Sequence, residues 1–335
     1  MRDEAAVDLK GPQSIIWLVT SRCNLACRHC YASRFPKAGE LSEHEALRLI
    51  DQAAQARVRH IGLTGGEVFL RPDALRLMQR AYEQGISTTV VTNGLLLSDN
   101  LLEKLAQYEV WVFLSLDGAR KETHEKIRGP DTWEKVISAA RRMNKAGMKF
   151  STIMAVSKLN YWEVAEHLAL VKELGAAVSC LIPVIPAGRA GKELAPTSKE
   201  IVVTLQQAEE GAESLNLPVS LWCLPFSGLV VHSPKVFSSS CRRAEEIDIS
   251  PQGEVLLCDV LDLSLGNIRE GLNTAWKKQE ENELTHSLTQ PQLPTPCKEC
   301  PLKNKCLGGC FARSQLLRGD IHAPDPLCPR VAGLV

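Results

Sequence analysis

The chain has no excess of charge of either sign, no signal-like apolar stretch near its N-terminus and no apolar run long enough to cross a bilayer. Lys plus Arg and Asp plus Glu each number 39, for a formal net charge of zero. Proteins that grip nucleic-acid phosphates are usually basic, so that class of partner is disfavoured. Met1-Arg2-Asp3-Glu4 is charged and no h-region follows, which argues against a secretory signal. The longest apolar runs, such as Ile15 to Val19, fall far short of a membrane span. A cytoplasmic chain with no nucleic-acid or membrane partner is therefore expected. What the chain does have is cysteine, twelve in 335 residues. In a reducing cytosol thiols point to metal or redox chemistry more than to disulfides. Scattered core thiols would not explain their clustering.

With 44% apolar residues the chain can bury a sizeable core, and its length suits one large domain plus a smaller one. From Gln13 to about Pro183, short β-branched runs alternate with longer helical patterns. Strands are predicted at Ser14–Thr20, His60–Thr64, Ser87–Thr92, Val110–Ser115, Lys149–Val156 and Ala177–Pro183. Helices are predicted near Ser42–Ala56, Pro72–Tyr82, Asp99–Ala106, Thr132–Ala146 and Tyr161–Leu174, with Ser42 and Glu45 as a capping box. Repeated βα units imply a parallel sheet with right-handed crossovers. Six units are fewer than the eight of a closed barrel, so an α/β fold with a partial (β/α)6 barrel is expected over 12–214, with chemistry at the strands' carboxyl ends. After a last helix at Thr197–Ser214 the βα rhythm is lost. Residues 215–335 read as a small cysteine-rich domain with a β-hairpin at Ile247–Cys258, dependent on metal for its stability.

Directly after the first strand stands Cys23-Asn24-Leu25-Ala26-Cys27-Arg28-His29-Cys30-Tyr31, a C-x3-C-x2-C loop. Thiolates are the usual ligands of iron–sulfur clusters. Three of them on a four-iron cubane leave one iron open for a substrate or cofactor. Zinc is the alternative and wants a fourth ligand, for which His29 is available. Two further strand ends carry turn-like motifs: Thr64-Gly65-Gly66-Glu67 and Ser115-Leu116-Asp117-Gly118. The C-terminal part adds Cys241, Gly253 and Cys258 in a C-x11-G-x4-C order, then Cys297-x2-Cys300-x5-Cys306-x3-Cys310, and finally Cys328.

The first loop, in this position, resembles the signature of the radical S-adenosylmethionine (radical SAM) superfamily, and the later cysteines resemble the SPASM extension of its peptide- and cofactor-maturing members. The resemblance spans Ser14 to Arg330. It implies a [4Fe–4S] cluster on Cys23, Cys27 and Cys30 whose free iron chelates SAM, and reductive cleavage of SAM to a 5′-deoxyadenosyl radical. It implies SAM contacts from Tyr31, Gly65, Gly66, Glu67, Asn93, Ser115 and Arg128, with a further loop, Pro186–Ala190, whose Arg189 faces SAM, substrate or neither. Two auxiliary iron–sulfur clusters are implied, one on Cys297, Cys300, Cys306 and Cys328, the other on Cys241, Cys258 and Cys310. The second lacks an obvious fourth ligand, for which Cys180, Cys223 or a substrate group are candidates. By the same resemblance Asp259 is a general base, although an ordinary hairpin-end aspartate is the competing reading.

Most relatives with this pattern modify peptides or proteins by crosslinking, epimerisation or oxidation; some oxidise or decarboxylate cofactor precursors such as tetrapyrroles. About twenty residues precede Cys23, so no fused peptide-recognition domain is expected there, and a separate recognition protein or a small-molecule substrate both remain open. Arg22, Arg28, His29, Arg34 and Lys37 form a basic rim suited to an acidic ferredoxin or flavodoxin, or simply a solvated face. The readings from other classes are a non-catalytic iron–sulfur electron carrier, which leaves the Gly65-Gly66-Glu67 motif unexplained, and a zinc-stabilised binding module.

Overall fold

The structure, a computed structural model, describes residues 11–243 and 245–335. Its first half alternates as the hydrophobic pattern requires. Strands β1 (Ser14–Thr20), β2 (His60–Gly65), β3 (Ser87–Thr92), β4 (Trp111–Ser115), β5 (Phe150–Val156) and β6 (Val178–Pro183) are joined through helices α1 (Glu43–Gln55), α2 (Ala74–Glu83), α3 (Asp99–Gln107), α4 (Lys121–Arg128), α5 (Trp133–Lys145) and α6 (Val164–Glu173). Helix α1 begins at the expected capping box, where Ser42 Oγ accepts from Glu45 N at 3.3 Å and Glu45 Oε2 accepts from Ser42 N at 2.8 Å. It buries Ala46, Leu49, Ile50 and Ala53, the i, i+3, i+4, i+7 face that docks a helix on a sheet. Helix α4 is not apparent in the sequence. Its eight residues KETHEKIR turn only His124, Ile127 and Arg128 inward, too little apolar surface to read as a stripe.

After α7 (Ser198–Leu215) the sheet does not stop. Strands β7 (Val219–Leu221) and β8 (Val236–Ser238) continue it in parallel beyond β6. The chain then returns to the opposite edge, where β9 (Glu246–Ile249) pairs in parallel with β1, Ser14 facing Glu246 and Trp17 facing Ile249. Strands β10 (Glu254–Leu256) and β11 (Ser264–Asn267) follow antiparallel. The described strands thus form one eleven-stranded sheet in the order β11-β10-β9-β1-β2-β3-β4-β5-β6-β7-β8. Both edges stay open, so the six βα units make a partial barrel. Helices α8 (Leu272–Glu280), α9 (Glu283–Thr289), α10 (Lys303–Cys306) and α11 (Phe311–Arg318) complete the C-terminal part. Among the described residues no helix is long and apolar enough to cross a membrane.

The main core lies between sheet and helices and is continuous from Trp17 through Leu63, Val112 and Phe150 to Leu181. Phe150, at the start of β5, is fully buried. Truncation by Phe150→Ala removes that volume and should destabilise the protein by about 3–5 kcal/mol. The check is the shift in urea unfolding of the anaerobically prepared protein.

Candidate functional site

The loop after β1 is exposed around residues 22–24, but its far end folds back over the sheet. Tyr31 and Cys30 pack with Leu18 of β1 and Leu256 of β10, while Cys27 is buried and Cys23 remains exposed. The three thiols of the C-x3-C-x2-C motif are close enough to perturb one another electrostatically. Neighbouring strand ends hold the loop down. Gly66 N donates to Thr20 O and Glu67 N to Arg22 O, each at 2.7 Å. A Cβ on Gly66 would stand 2.0 Å from Arg22 O, so only glycine permits this approach. Asn93 Nδ2 donates to Asn24 Oδ1 at 2.8 Å, which ties the end of β3 to the same loop. From the far side Arg189 N donates to Cys30 O (3.1 Å) and its Nε to Cys27 O (2.9 Å). Arg189 therefore clamps the cysteine loop.

Beneath the loop lie buried charges: Glu67 and Arg128, both implied SAM contacts, and Asp117, to which the sequence pattern gave no role. Glu67 is fully buried and accepts from Thr92 Oγ1 (2.8 Å), Asn93 N (2.9 Å) and Phe69 N (3.2 Å). Burial pushes its carboxyl up and these donors draw it back. Asp117, at the end of β4, is also fully buried. Its Oδ2 accepts from Arg128 Nε and lies against His29 Nε2, both at 2.6 Å, while Oδ1 accepts from Ala155 N at 2.7 Å. Burial by itself would raise this carboxyl; the Arg128 guanidinium and His29 more than reverse the effect and hold it far below the usual carboxylate range. Arg128 is thus an interior residue with Nη1 4.0 Å from Cys27 Sγ, neither exposed nor at a frayed helix end. His29 faces Asp117 and is not placed as a zinc ligand. His124, pushed down to about 3 by burial and by Arg128, stays neutral and accepts from Asp117 N at 3.2 Å. Ser115 is buried beside them. Of the basic rim, Arg22, Arg28 and Lys37 are exposed, whereas Arg34 turns inward to donate to Leu261 O at 2.7 Å.

The C-terminal cysteines gather in two places. Cys297, Cys300, Cys306 and Cys328 line one cavity together with Phe226 and Arg330. Cys241 and Cys258 line a second with Asp248 and Phe311, and Cys310 packs against Cys258 and Cys223. Cys180 is separate, buried in β6. Burial pushes the Cys306 and Cys328 thiols up to about 12 and about 11, so they stay neutral until a metal takes their sulfurs and the protons leave. Beside Cys258, Asp259 N donates to Asp248 Oδ2 at 2.8 Å, and Asp259 Oδ2 accepts from Tyr31 OH at 2.5 Å. Burial raises both carboxyls.

The sulfur spacing bears on the metal. Among the described residues no three cysteine sulfurs lie within 4.8 Å of one another; the one trio that close is Asp248, Cys258 and Asp259. Thiolates on one zinc stand about 3.8 Å apart, given Zn–S bonds of about 2.3 Å in a tetrahedron. Sets of three and four thiols are the donor sets that polynuclear iron–sulfur clusters use, and the residues present fit them. Fold and site together define an iron–sulfur protein built on an open βα barrel.

Comparison with known proteins carries this further. The radical SAM superfamily profile matches residues 17–171, and the profile of the SPASM iron–sulfur cluster-binding domain matches residues 241–301. An AdoMet-dependent heme synthase of Methanosarcina barkeri is 30% identical over 95% of this chain and 96% of its own. Mycofactocin maturase MftC of Mycolicibacterium smegmatis is 28% identical over 96% of this chain and 83% of its own. The crystal structure of Streptococcus suis SuiB bound to precursor peptide SuiA shares the fold, with a TM-score of 0.78 at 18% identity over 95% of this chain and 76% of that one. The chain belongs to the radical SAM superfamily and carries a C-terminal SPASM domain. It is accordingly an enzyme whose cofactors are SAM, a [4Fe–4S] cluster and auxiliary iron–sulfur clusters.

Asp117→Asn removes the counter-charge of the buried Arg128. A loss of about 3–5 kcal/mol is expected. Because the Asp117 carboxyl is depressed in the folded state, its contribution is complete above the unfolded value, about 3.9, and fades as pH falls below it. The stability gap between wild type and variant, measured by denaturation, should therefore be flat from about pH 8 to 5 and close below about pH 4.

Proposed function

We propose that this enzyme oxidises a bound substrate by radical hydrogen abstraction, with Asp259 as the proton acceptor. In this reading Cys23, Cys27 and Cys30 hold the SAM-binding cluster, and Tyr31, Gly65, Gly66, Glu67, Asn93, Ser115 and Arg128 form the SAM site around it. Cys297, Cys300, Cys306 and Cys328 hold the outer auxiliary cluster; Cys241, Cys258 and Cys310 hold the inner one. When bound, these groups supply reductive cleavage of SAM to a 5′-deoxyadenosyl radical, hydrogen abstraction from the substrate, and uptake of the substrate radical's electron.

The observation that carries the reading is the hydrogen bond from Tyr31 OH to Asp259 Oδ2. It joins the residue following the third cysteine of the first loop to the residue following Cys258, so a carboxylate sits between the two cluster sites. Asp259 is half-buried; desolvation raises its carboxyl, which favours its taking up a proton, while Tyr31 and Arg34 draw it back. Arg128 and Asp117 fix the cysteine loop from below, and Arg189 fixes it from above. The exposed Arg22, Arg28 and Lys37 offer a docking rim for an acidic ferredoxin or flavodoxin.

A peptide or protein is the substrate class we favour, delivered with or without a separate recognition protein. It is supported by the complete seven-cysteine SPASM order and by the relation to a mycofactocin maturase. Oxidation of a tetrapyrrole side chain is the second reading. It is favoured by the heme synthase relative, with which the chain aligns over nearly its full length.

Reduced protein incubated with SAM should release 5′-deoxyadenosine, and Cys30→Ala should abolish it; absence of the product from wild type would leave an electron carrier. Asp259→Asn should keep SAM cleavage while slowing substrate oxidation by about 10²-fold or more. Mass spectrometry of candidate precursor peptides and of porphyrin carboxylates, assayed side by side for stimulation of 5′-deoxyadenosine release, separates the two substrate classes.

A further inference from the structure

The inner auxiliary site, as assigned above, has three thiols. No cysteine lies between residues 242 and 257 to serve as a fourth. We infer that Cys223, outside the SPASM spacing pattern, is the fourth ligand, so that the inner cluster is held by four protein thiolates and leaves no iron open to substrate. The inference rests on the ligand assignment of the preceding subsection.

Three observations converge on it. Cys223 packs in one cluster with Cys258 and Cys310, and Cys310 and Cys241 lie near enough to influence its thiol electrostatically. Its backbone is left-handed, with φ of 56°, a conformation that non-glycine residues seldom adopt unless their surroundings impose it. Here the surroundings are visible. Arg313, fully buried, donates from Nη2 to Cys223 O at 2.8 Å. The same guanidinium grips Asp325 from Nε (2.9 Å) and Nη2 (2.6 Å), and Asp325 Oδ2 accepts from Cys310 N at 2.8 Å. One buried ion pair thus sets the positions of both Cys223 and Cys310. The other unassigned thiol, Cys180, has no such company: it lies in β6, 1% exposed, in register opposite Ser220 of β7.

Ligation needs no redox partner. Each thiol gives its proton to solvent as its sulfur bonds iron. A closed inner cluster restricts this site to carrying electrons, and the substrate must be held by side chains.

The test uses the full chain with Cys23→Ala, Cys27→Ala and Cys30→Ala, which leaves only the auxiliary clusters. After anaerobic reconstitution this protein should hold about eight irons as two four-iron clusters. Its reduced EPR spectrum should not move when cyanide, a ligand for open iron, is added. Adding Cys223→Ala should either lose about half the iron or produce a new cyanide-sensitive signal, and Cys180→Ala should do neither. Should Cys223→Ala fail to fold, Cys223→Ser keeps an oxygen ligand and should alter the EPR spectrum of one cluster. A cyanide-dependent shift in the parent, or a Cys223 variant with unchanged iron and spectrum, overturns the inference. A parent holding only one cluster overturns the two-cluster assignment itself, a result separable from the others by its iron content.

Discussion

The arrangement depends on one piece of backbone pairing: β1 lies between β2 and β9. Strand β2 makes it the first strand of the barrel, and β9 makes it the neighbour of the C-terminal hairpin. The cysteine loop that follows β1 is therefore flanked by the barrel's strand ends on one side and by Asp248, Cys258 and Asp259 on the other. No linker sets this distance. It is set by the spacing of neighbouring strands in a sheet, about 4.8 Å, and a shift of β9 by one residue would turn Asp248 to the opposite face.

Around this pairing the protein handles charge in a consistent way. Buried thiols are costly to ionise, and a metal cluster that takes thiolates brings negative charge into an apolar setting. Each cysteine group is accordingly backed by a buried arginine that is itself held by an aspartate: Arg128 with Asp117 beneath the first loop, Arg313 with Asp325 between the auxiliary sites. Such pairs contribute little net stability by themselves, because desolvation offsets attraction. Their use here is positional. The guanidinium planes orient backbone carbonyls and sulfurs before any cofactor arrives.

Much of the fold was legible in the chain. The six main strands fall within a residue of their expected bounds, since β-branched runs bounded by helix caps leave little choice, and the cysteine spacings carried the class of chemistry. What escaped reading is what depends on distant partners. Helix α4 has no apolar stripe of its own and exists because His124 and Arg128 close on Asp117. Strands β7 and β8 have three residues each and gain their form from β6. The interior position of Arg128 requires a carboxylate eleven residues away in sequence to have been buried first. Cys223 belongs to no spacing motif, because its place is fixed by a carbonyl bond to a residue ninety positions later.

The order of the C-terminal cysteines has a consequence of its own. Cys310, assigned to the inner site, falls between Cys306 and Cys328 of the outer one. The two sets are interlaced along the chain like links, and neither metal group can be stripped out as a module without cutting through the other's supports. No single cut of the chain therefore separates the cysteines assigned to one site from those assigned to the other.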